Sequence, residues 1–227
     1  MQVNINCFPT FVPMIDSYRH KALRRQLIDE LKGKGIKNQA VLDAFNKVPR
    51  HFFLDSSFMN QAYTNMAFQI GAEQTISHPF TVAFQTTLLE LERGHRVLEI
   101  GTGSGFQTAI LCAIGVRVVS IERQKYLYIR AKPIIFDLGY SPNLFYGDGY
   151  KGKSSYAPYD SILVTCGAPF IPQELQDQLK VGGRLVIPIG EGQKQIMTRL
   201  TKLENGEWKK ETYGDFSFVP MLNKTAK

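Results

Sequence analysis

Arg96-Val-Leu-Glu-Ile-Gly-Thr-Gly-Ser-Gly-Phe-Gln-Thr-Ala109 is the stretch whose reading decides the fold. Val97, Leu98 and Ile100 form a short apolar run, as expected of a strand buried in a parallel sheet. The run breaks into Gly101, Gly103 and Gly105, then resumes as a helix carrying Ala109, Ile110 and Ala113 on one side. Strand, glycine turn and helix in this order build a nucleotide cradle. Without Cβ atoms the backbone turns sharply and comes close to a ligand, while the helix start offers free N–H groups.

The spacing narrows the ligand. A dinucleotide fingerprint needs a small residue where Phe106 stands, and no Gly-Lys-Ser/Thr ending of a P-loop occurs in the chain. What remains is Glu99-x-Gly101-x-Gly103-x-Gly105, which resembles the first motif of the class I S-adenosylmethionine-dependent methyltransferases. A glycine turn also serves as a plain strand-to-helix connection, so the rest of the chain decides.

At 227 residues the chain is long enough for one domain with small additions and a real core. Its formal charge of +7 is scattered, without the run of like charges expected of a nucleic-acid arm, so no nucleic-acid partner is expected. The three cysteines, Cys7, Cys112 and Cys166, have no C-x-x-C spacing; Cys112 and Cys166 fall in or beside expected core elements, where a reduced thiol behaves as a small apolar group. The four histidines lie far apart without ligand spacing, and no metal site is expected. The first residues lack a basic n-region and no apolar run is long enough to span a membrane, so the expected compartment is the cytoplasm, with no membrane partner. A monomer is the default expectation.

Around the cradle the chain reads as alternating helices and strands. Residues 1–16 are irregular. Ser17 caps a helix with Leu23, Leu27 and Leu31 at helical spacing, ending at Gly33 and Gly35. Asn38 caps a second, with Val41, Leu42 and Phe45 inward, stopped at Val48-Pro49. Ala62 to Ser77 reads as loops with short strands, and Pro79 opens a helix expected to run to Gly94. After the cradle come a strand over Val116–Glu122 and a helix over Arg123–Leu138, with Pro133 predicting a kink or a broken last turn. Strands over Asn143–Tyr146 and Tyr159–Thr165, a helix over Pro172–Leu179 and a strand over Gly183–Ile189 follow. Ile196–Leu203 and Trp208–Phe218 then form a hairpin around Asn205-Gly206.

This pattern predicts an α/β fold: a Rossmann-like class I methyltransferase sandwich, with a mainly parallel sheet, helices on both faces, a C-terminal antiparallel hairpin and an N-terminal helical addition. The expected division is residues 1–78 as a helical and loop addition packing on the core, and residues 79–227 as the cofactor-binding core with its hairpin.

Ligands of such sheets bind at the carboxyl ends of the strands. Glu122 closes the second core strand, about twenty residues after the first glycine, where a carboxylate suits two vicinal ribose hydroxyls. Asp148, between Gly147 and Gly149, is placed to accept from an adenine amino group, although Asp and Gly also favour simple turns. Glu99 reads as orienting the glycine loop or a bound water, and Asp160 as structural. Gly71-Ala-Glu-Gln-Thr-Ile-Ser-His-Pro-Phe80 is the other dense stretch, and from physics alone Ser77 reads as a helix cap two residues before a proline.

Gln74-Thr-Ile-Ser-x-Pro79, followed by Val82-Ala83 and then Val97-Leu-Glu-Ile-Gly-Thr-Gly-Ser-Gly-Phe-Gln107, resembles the protein-L-isoaspartate (D-aspartate) O-methyltransferase family. Val48-Pro-Arg50 with Phe53, Gly147-Asp-Gly149, Pro158-Tyr-Asp160, Gly182-Gly-Arg-Leu185 and Phe218-Val-Pro220 occur in the family's order, so the similarity runs from about Leu31 to Met221. Glu73 stands where many members have glycine, and Cys166-Gly167 where small alanines are common. The resemblance implies methyl transfer from S-adenosylmethionine to isoaspartyl and D-aspartyl carboxylates in damaged proteins and peptides. It implies Ser77 as the catalytic residue, meeting the substrate together with Val219 and Pro220. Implied cofactor contacts are Gln74, Thr75, Ile76 and Ser77 in the closing loop, Glu99, Gly101, Thr102, Gly103 and Gly105 at the turn, then Glu122, Arg123, Asp148 and Gly149. The competing readings are a methyltransferase of RNA or a small molecule, against which Thr165-Cys-Gly-Ala-Pro169 lacks the base-methylating Asn/Asp-Pro-Pro-aromatic pattern, and a non-catalytic cofactor-binding module.

Overall fold

The computed structural model describes residues 15–226; the irregular reading of residues 1–14 and the cysteine among them lie outside it. Two helices open the chain. In α1 (Tyr18–Gly33) the Ser17 hydroxyl accepts from the backbone N–H of His20, and Leu27 and Leu31 are buried. In α2 (Gln39–Lys47) Asn38 caps by accepting from Val41 N, and Val41, Leu42 and Phe45 face inward. Both starts are those expected from the capping residues.

A short antiparallel hairpin follows, β1 (Phe68–Gly71) with β2 (Gln74–Ile76). Ala72 and Glu73 at its tip both take left-handed backbone angles, φ 50° and 56°. This is why a glycine is the easier residue at position 73. Helix α3 (Pro79–Leu88) stops before the expected Gly94. Glu90 turns left-handed there, its carboxylate pairing with Arg184 and Arg199, and Arg199 also donates to the Leu88 carbonyl.

The core then runs β3 (Arg96–Ile100), α4 (Phe106–Ile114), β4 (Arg117–Glu122), α5 (Lys125–Asp137), β5 (Asn143–Tyr146), β6 (Tyr159–Val164), α6 (Gln173–Asp177), β7 (Leu179–Ile189), β8 (Gln195–Lys202) and β9 (Trp208–Phe216). Helix α5 continues through Pro133 without a break. The proline and Ile129, four residues before it, are on the exposed side, where water can bond the carbonyl that the ring leaves unpaired.

The seven strands lie in the order β5-β4-β3-β6-β7-β8-β9; the first five pair in parallel, and β8 and β9 are antiparallel. Side chains alternate across the sheet. Val97, Val118, Leu163 and Val186 join one core with α1 to α5, whereas Leu98, Val119, Ile162 and Leu185 join the other. The second face is covered more thinly, by α6, 3-10 turns at Gly149–Lys151 and Ser154–Tyr156, and the tail around Met221. The helices are therefore unevenly shared between the two faces.

The N-terminal helices are not a loose attachment. Phe45 of α2 and Phe53 each meet Phe106 edge-on, with ring centroids 5.6 Å apart. Asp16 and His20, four residues apart at the start of α1, also come together here with the distant His51. Asp16 pairs with Arg24, and His51 Nδ1 meets the Tyr63 hydroxyl at 2.8 Å.

Strands β3 and β6 are neighbours, yet the chain leaves β3 toward β4 and β5 and leaves β6 toward β7. The order reverses between them, which opens a crevice at their carboxyl ends.

Candidate active site

Gly101 closes β3 at the edge of this crevice with φ +96°. Thr165, at the end of β6, donates its hydroxyl to the Ile100 and Gly101 carbonyls at 2.9 and 2.7 Å, pinning the two strand ends together. A Cβ built on Gly101 would lie 2.5 Å from Thr165 Oγ1. Only glycine fits, because both the backbone angle and the space demand it. Gly149 meets a similar limit, since a Cβ there would come within 2.4 Å of Ile100.

These strand ends border a cleft whose empty space, open solvent included, is about 860 Å³. Gln74, Thr75, Ile76 and Ser77 line it from β2 and the residue after it; Gly101, Thr102 and Gly103 from the turn; Glu122, Arg123 and Gly149 from the next two strand ends; Val219 and Pro220 from the tail. Segments distant in sequence thus meet at one opening.

Glu122 is buried at its base. One carboxylate oxygen accepts from Gly103 N at 2.8 Å and the other from Gln124 N at 2.7 Å, so the acid ties the glycine turn to the start of α5. Burial raises its pKa, while these backbone donors oppose the rise. Thr102 contributes main chain to the cleft, since its hydroxyl bonds Ser120 at 2.6 Å beneath the turn.

Three expected cofactor contacts, Glu99, Gly105 and Asp148, are not among the residues that line the cleft. Glu99 points under the sheet, fully buried, where it accepts from Thr108 of α4, and burial pushes its carboxyl up to about 8. It braces α4 from below. Gly105 starts α4, and a Cβ there would strike Ile135 of α5 at 2.8 Å, so it serves helix packing. Asp148 lies beside the lining: its oxygens accept from Tyr150 N at 3.0 Å and Lys224 N at 3.1 Å, clipping the tail to the strand ends.

The cap reading of Ser77 is corrected. The residue flanking α3 is His78, no side chain at that position caps the helix, and Phe80 N is bonded instead by Asn65 Oδ1 at 2.9 Å. Asn65 does the capping from fifteen residues upstream, leaving the Ser77 hydroxyl without that duty.

Other lining residues carried no legible signal. Gln85 and Gln107 face the cleft from α3 and α4, and Thr165, Cys166 and Leu222 complete its walls. Two glutamines inside helices read as ordinary polar residues; here Gln85 donates to the Val164 carbonyl at the end of β6 at 3.1 Å, and Gln107 to the Thr86 hydroxyl of α3 at 3.0 Å. Burial pushes the Cys166 thiol up to about 12, so it stays protonated and weakly nucleophilic.

A glycine turn at a topological switch point, a ribose-spaced acid and an overhanging serine segment together fit a nucleoside-type cofactor. Comparison with known proteins agrees. The family model for protein-L-isoaspartate(D-aspartate) O-methyltransferase matches residues 22–226. A protein-L-isoaspartate O-methyltransferase from Christiangramia forsetii is 54% identical over 210 residues, covering 92% of this chain and 98% of its own, and one from Flavobacterium psychrophilum is 53% identical with the same coverage. Among solved structures, a protein-L-isoaspartate O-methyltransferase aligns with TM-score 0.79 at 30% identity, covering 87% of this chain; this chain spans 65% of its length. A Plasmodium falciparum protein described as a putative member, in complex with S-adenosyl-L-homocysteine, aligns with TM-score 0.76 at 26% identity over 89% of this chain and 98% of its own. The chain belongs to the protein-L-isoaspartate(D-aspartate) O-methyltransferase family and is an S-adenosylmethionine-dependent enzyme that methylates isoaspartyl residues of proteins.

Proposed function

We propose that the cleft between the Ser77 segment and the Val219–Pro220 tail is where this methyl transfer takes place, with Ser77 orienting the substrate carboxylate. The observation that carries the proposal is the meeting of three segments distant in sequence, 74–77, 101–103 and 219–222, above buried Glu122. The glycine turn and Gly149 provide the close backbone approach that a nucleoside needs, and Glu122 offers carboxylate oxygens to its ribose. When bound, S-adenosylmethionine supplies an electrophilic methyl group on a sulfonium.

The residues have modest chemistry to perform. An isoaspartyl carboxylate is ionised at pH 7 and is itself the nucleophile, so no general base is required. The protein has to align it and exclude water from the attacking oxygen. A serine hydroxyl donates one hydrogen bond without quenching the anion as an ion pair would. Cys166, held as a thiol, does not compete for the methyl group.

Residues 1–78 are read as an addition to a core spanning 79–227, sharing its apolar interior through Phe45 and Phe106. The enzyme is read as a monomer acting on protein chains in the cytoplasm, without nucleic-acid or membrane partners. No helix among the described residues is long and apolar enough to cross a membrane.

Tritiated methyl transfer to an isoaspartyl peptide, its aspartyl twin and bulk RNA is expected to label the first alone. Equal labelling of the two peptides, or labelling of RNA, would contradict the substrate reading. For the cofactor site, Glu122→Ala is expected to weaken S-adenosyl-L-homocysteine binding by about 1.5–3 kcal/mol, the usual cost of losing charge-assisted hydrogen bonds. Unchanged affinity by calorimetry would remove Glu122 from the site.

A further inference from the structure

Arg50 is 1% exposed and has no carboxylate partner among the described residues. A buried cation is ordinarily neutralised or expelled. Here it is held by carbonyl oxygens: Nη1 donates to Ala62 at 2.6 Å, and Nη2 to Met66 at 2.8 Å and Ser77 at 3.1 Å. The rings of Phe68 and Phe106 lie 5.5 and 5.8 Å from the guanidinium carbon. Burial lowers its pKa to about 9, which leaves it charged at neutral pH.

The identity of the acceptors is informative. Met66 lies just before the β1–β2 hairpin and Ser77 just after it, so one planar group ties the hairpin's two roots. Asn65, the cap of α3, sits between the gripped carbonyls of Ala62 and Met66. Phe106, whose ring centroid lies 5.8 Å from the guanidinium carbon, opens α4 directly after the glycine turn and lines the cleft. At its far end the hairpin is tied separately, by Arg130 Nη1 donating to the Ile70 carbonyl at 3.0 Å.

We propose that Arg50 is a positioning residue for methyl transfer: its guanidinium sets the backbone of Ser77 relative to the glycine turn, and thereby places the serine hydroxyl over the cleft. The proposal rests on the role of Ser77 in orienting substrate. Lysine cannot substitute for this arrangement, because an ammonium is a compact point donor and cannot reproduce the fork that spans three carbonyls from two separate segments.

The test is a double-mutant cycle of Arg50→Lys and Ser77→Ala, read by kcat/KM on an isoaspartyl peptide, with S-adenosyl-L-homocysteine affinity and Tm measured in parallel. Arg50→Lys is expected to lower kcat/KM by about 100-fold, the scale of an ångström-sized misplacement, through kcat more than through cofactor affinity. In the Ser77→Ala background the same substitution should have only a small further effect, since the group it positions is already gone. Additive losses on an impaired Ser77→Ala enzyme would overturn the positioning role and leave Arg50 as a structural residue. Activity of Arg50→Lys within about threefold of the parent would overturn it as well. An unimpaired Ser77→Ala enzyme would instead remove the Ser77 reading on which the proposal stands. Should Arg50→Lys fail to fold, Phe68→Leu strips one ring from the guanidinium and enters the same cycle, with the same expectation of non-additivity.

Discussion

Replacing Ser77 by aspartate is expected to give a folded, cofactor-binding protein that no longer methylates isoaspartyl peptide. The stability cost should stay within about 0.5 kcal/mol, because α3 is capped by Asn65 and no cap is lost. Catalysis is another matter. The introduced carboxylate would face the incoming substrate carboxylate across a partly desolvated cleft. Two like charges about 4 Å apart at an effective dielectric near 20 repel by about 4 kcal/mol, or roughly a thousandfold in kcat/KM. Ser77→Ala should lose less, since it deletes one hydrogen bond without adding charge. The repulsion also raises the pKa of the introduced carboxyl, so it becomes neutral as pH falls. The activity of Ser77→Asp relative to the parent should therefore rise from pH 8 toward pH 5.5. Near-normal methylation by Ser77→Asp at neutral pH would leave Ser77 without a functional role.

Gly101→Ala is expected to damage both stability and cofactor binding. Two independent costs meet at this residue. The φ of +96° is outside the range that an L side chain adopts readily, and the added methyl would lie 2.5 Å from Thr165 Oγ1. Backbone strain of this kind costs about 1–3 kcal/mol, and overpacking costs a similar amount. Thr165 would be driven from the Ile100 and Gly101 carbonyls, loosening β3 from β6 at the point where the crevice opens. S-adenosyl-L-homocysteine affinity should drop by about 100-fold, with Tm falling as well. Thr165→Ala in the same chain removes the clashing oxygen but not the backbone strain, so it should restore only part of both losses. Parent-like affinity in Gly101→Ala would show that the turn has no part in cofactor binding.

The capping residues Ser17 and Asn38, the apolar run before the glycine turn and the Asn205-Gly206 hairpin were all legible because each acts within a few residues along the chain. The hairpin over the cleft was legible only as short strands within the loops of Ala62 to Ser77. Only Gly71 at φ 91° marks its tip, and the two left-handed residues that follow, Ala72 and Glu73, are not the glycine or asparagine that ordinarily fills such positions. It persists because Arg50 and Arg130 hold its roots and its first strand from outside.

The same division applies to the acids. Sequence spacing placed Glu99, Glu122 and Asp148 at or beside strand ends, yet a strand end does not say which way a side chain points or what already occupies it. Glu122 lines the cleft; Glu99 is turned under the sheet to Thr108; Asp148 sits beside the lining, accepting from Tyr150 N and from Lys224 N of the tail. The Ser77 cap failed for a related reason. A local pattern names a residue able to cap, whereas the bond goes to whichever acceptor tertiary packing delivers, here Asn65. By itself the sequence determined the order of elements, the parallel sheet with its switch point and the kind of cofactor, since periodicity, glycine placement and capping are local properties of the chain. Only the tertiary structure decided which of the candidate groups face the cleft and that a buried arginine holds the serine segment above it, because those depend on the meeting of residues far apart in sequence.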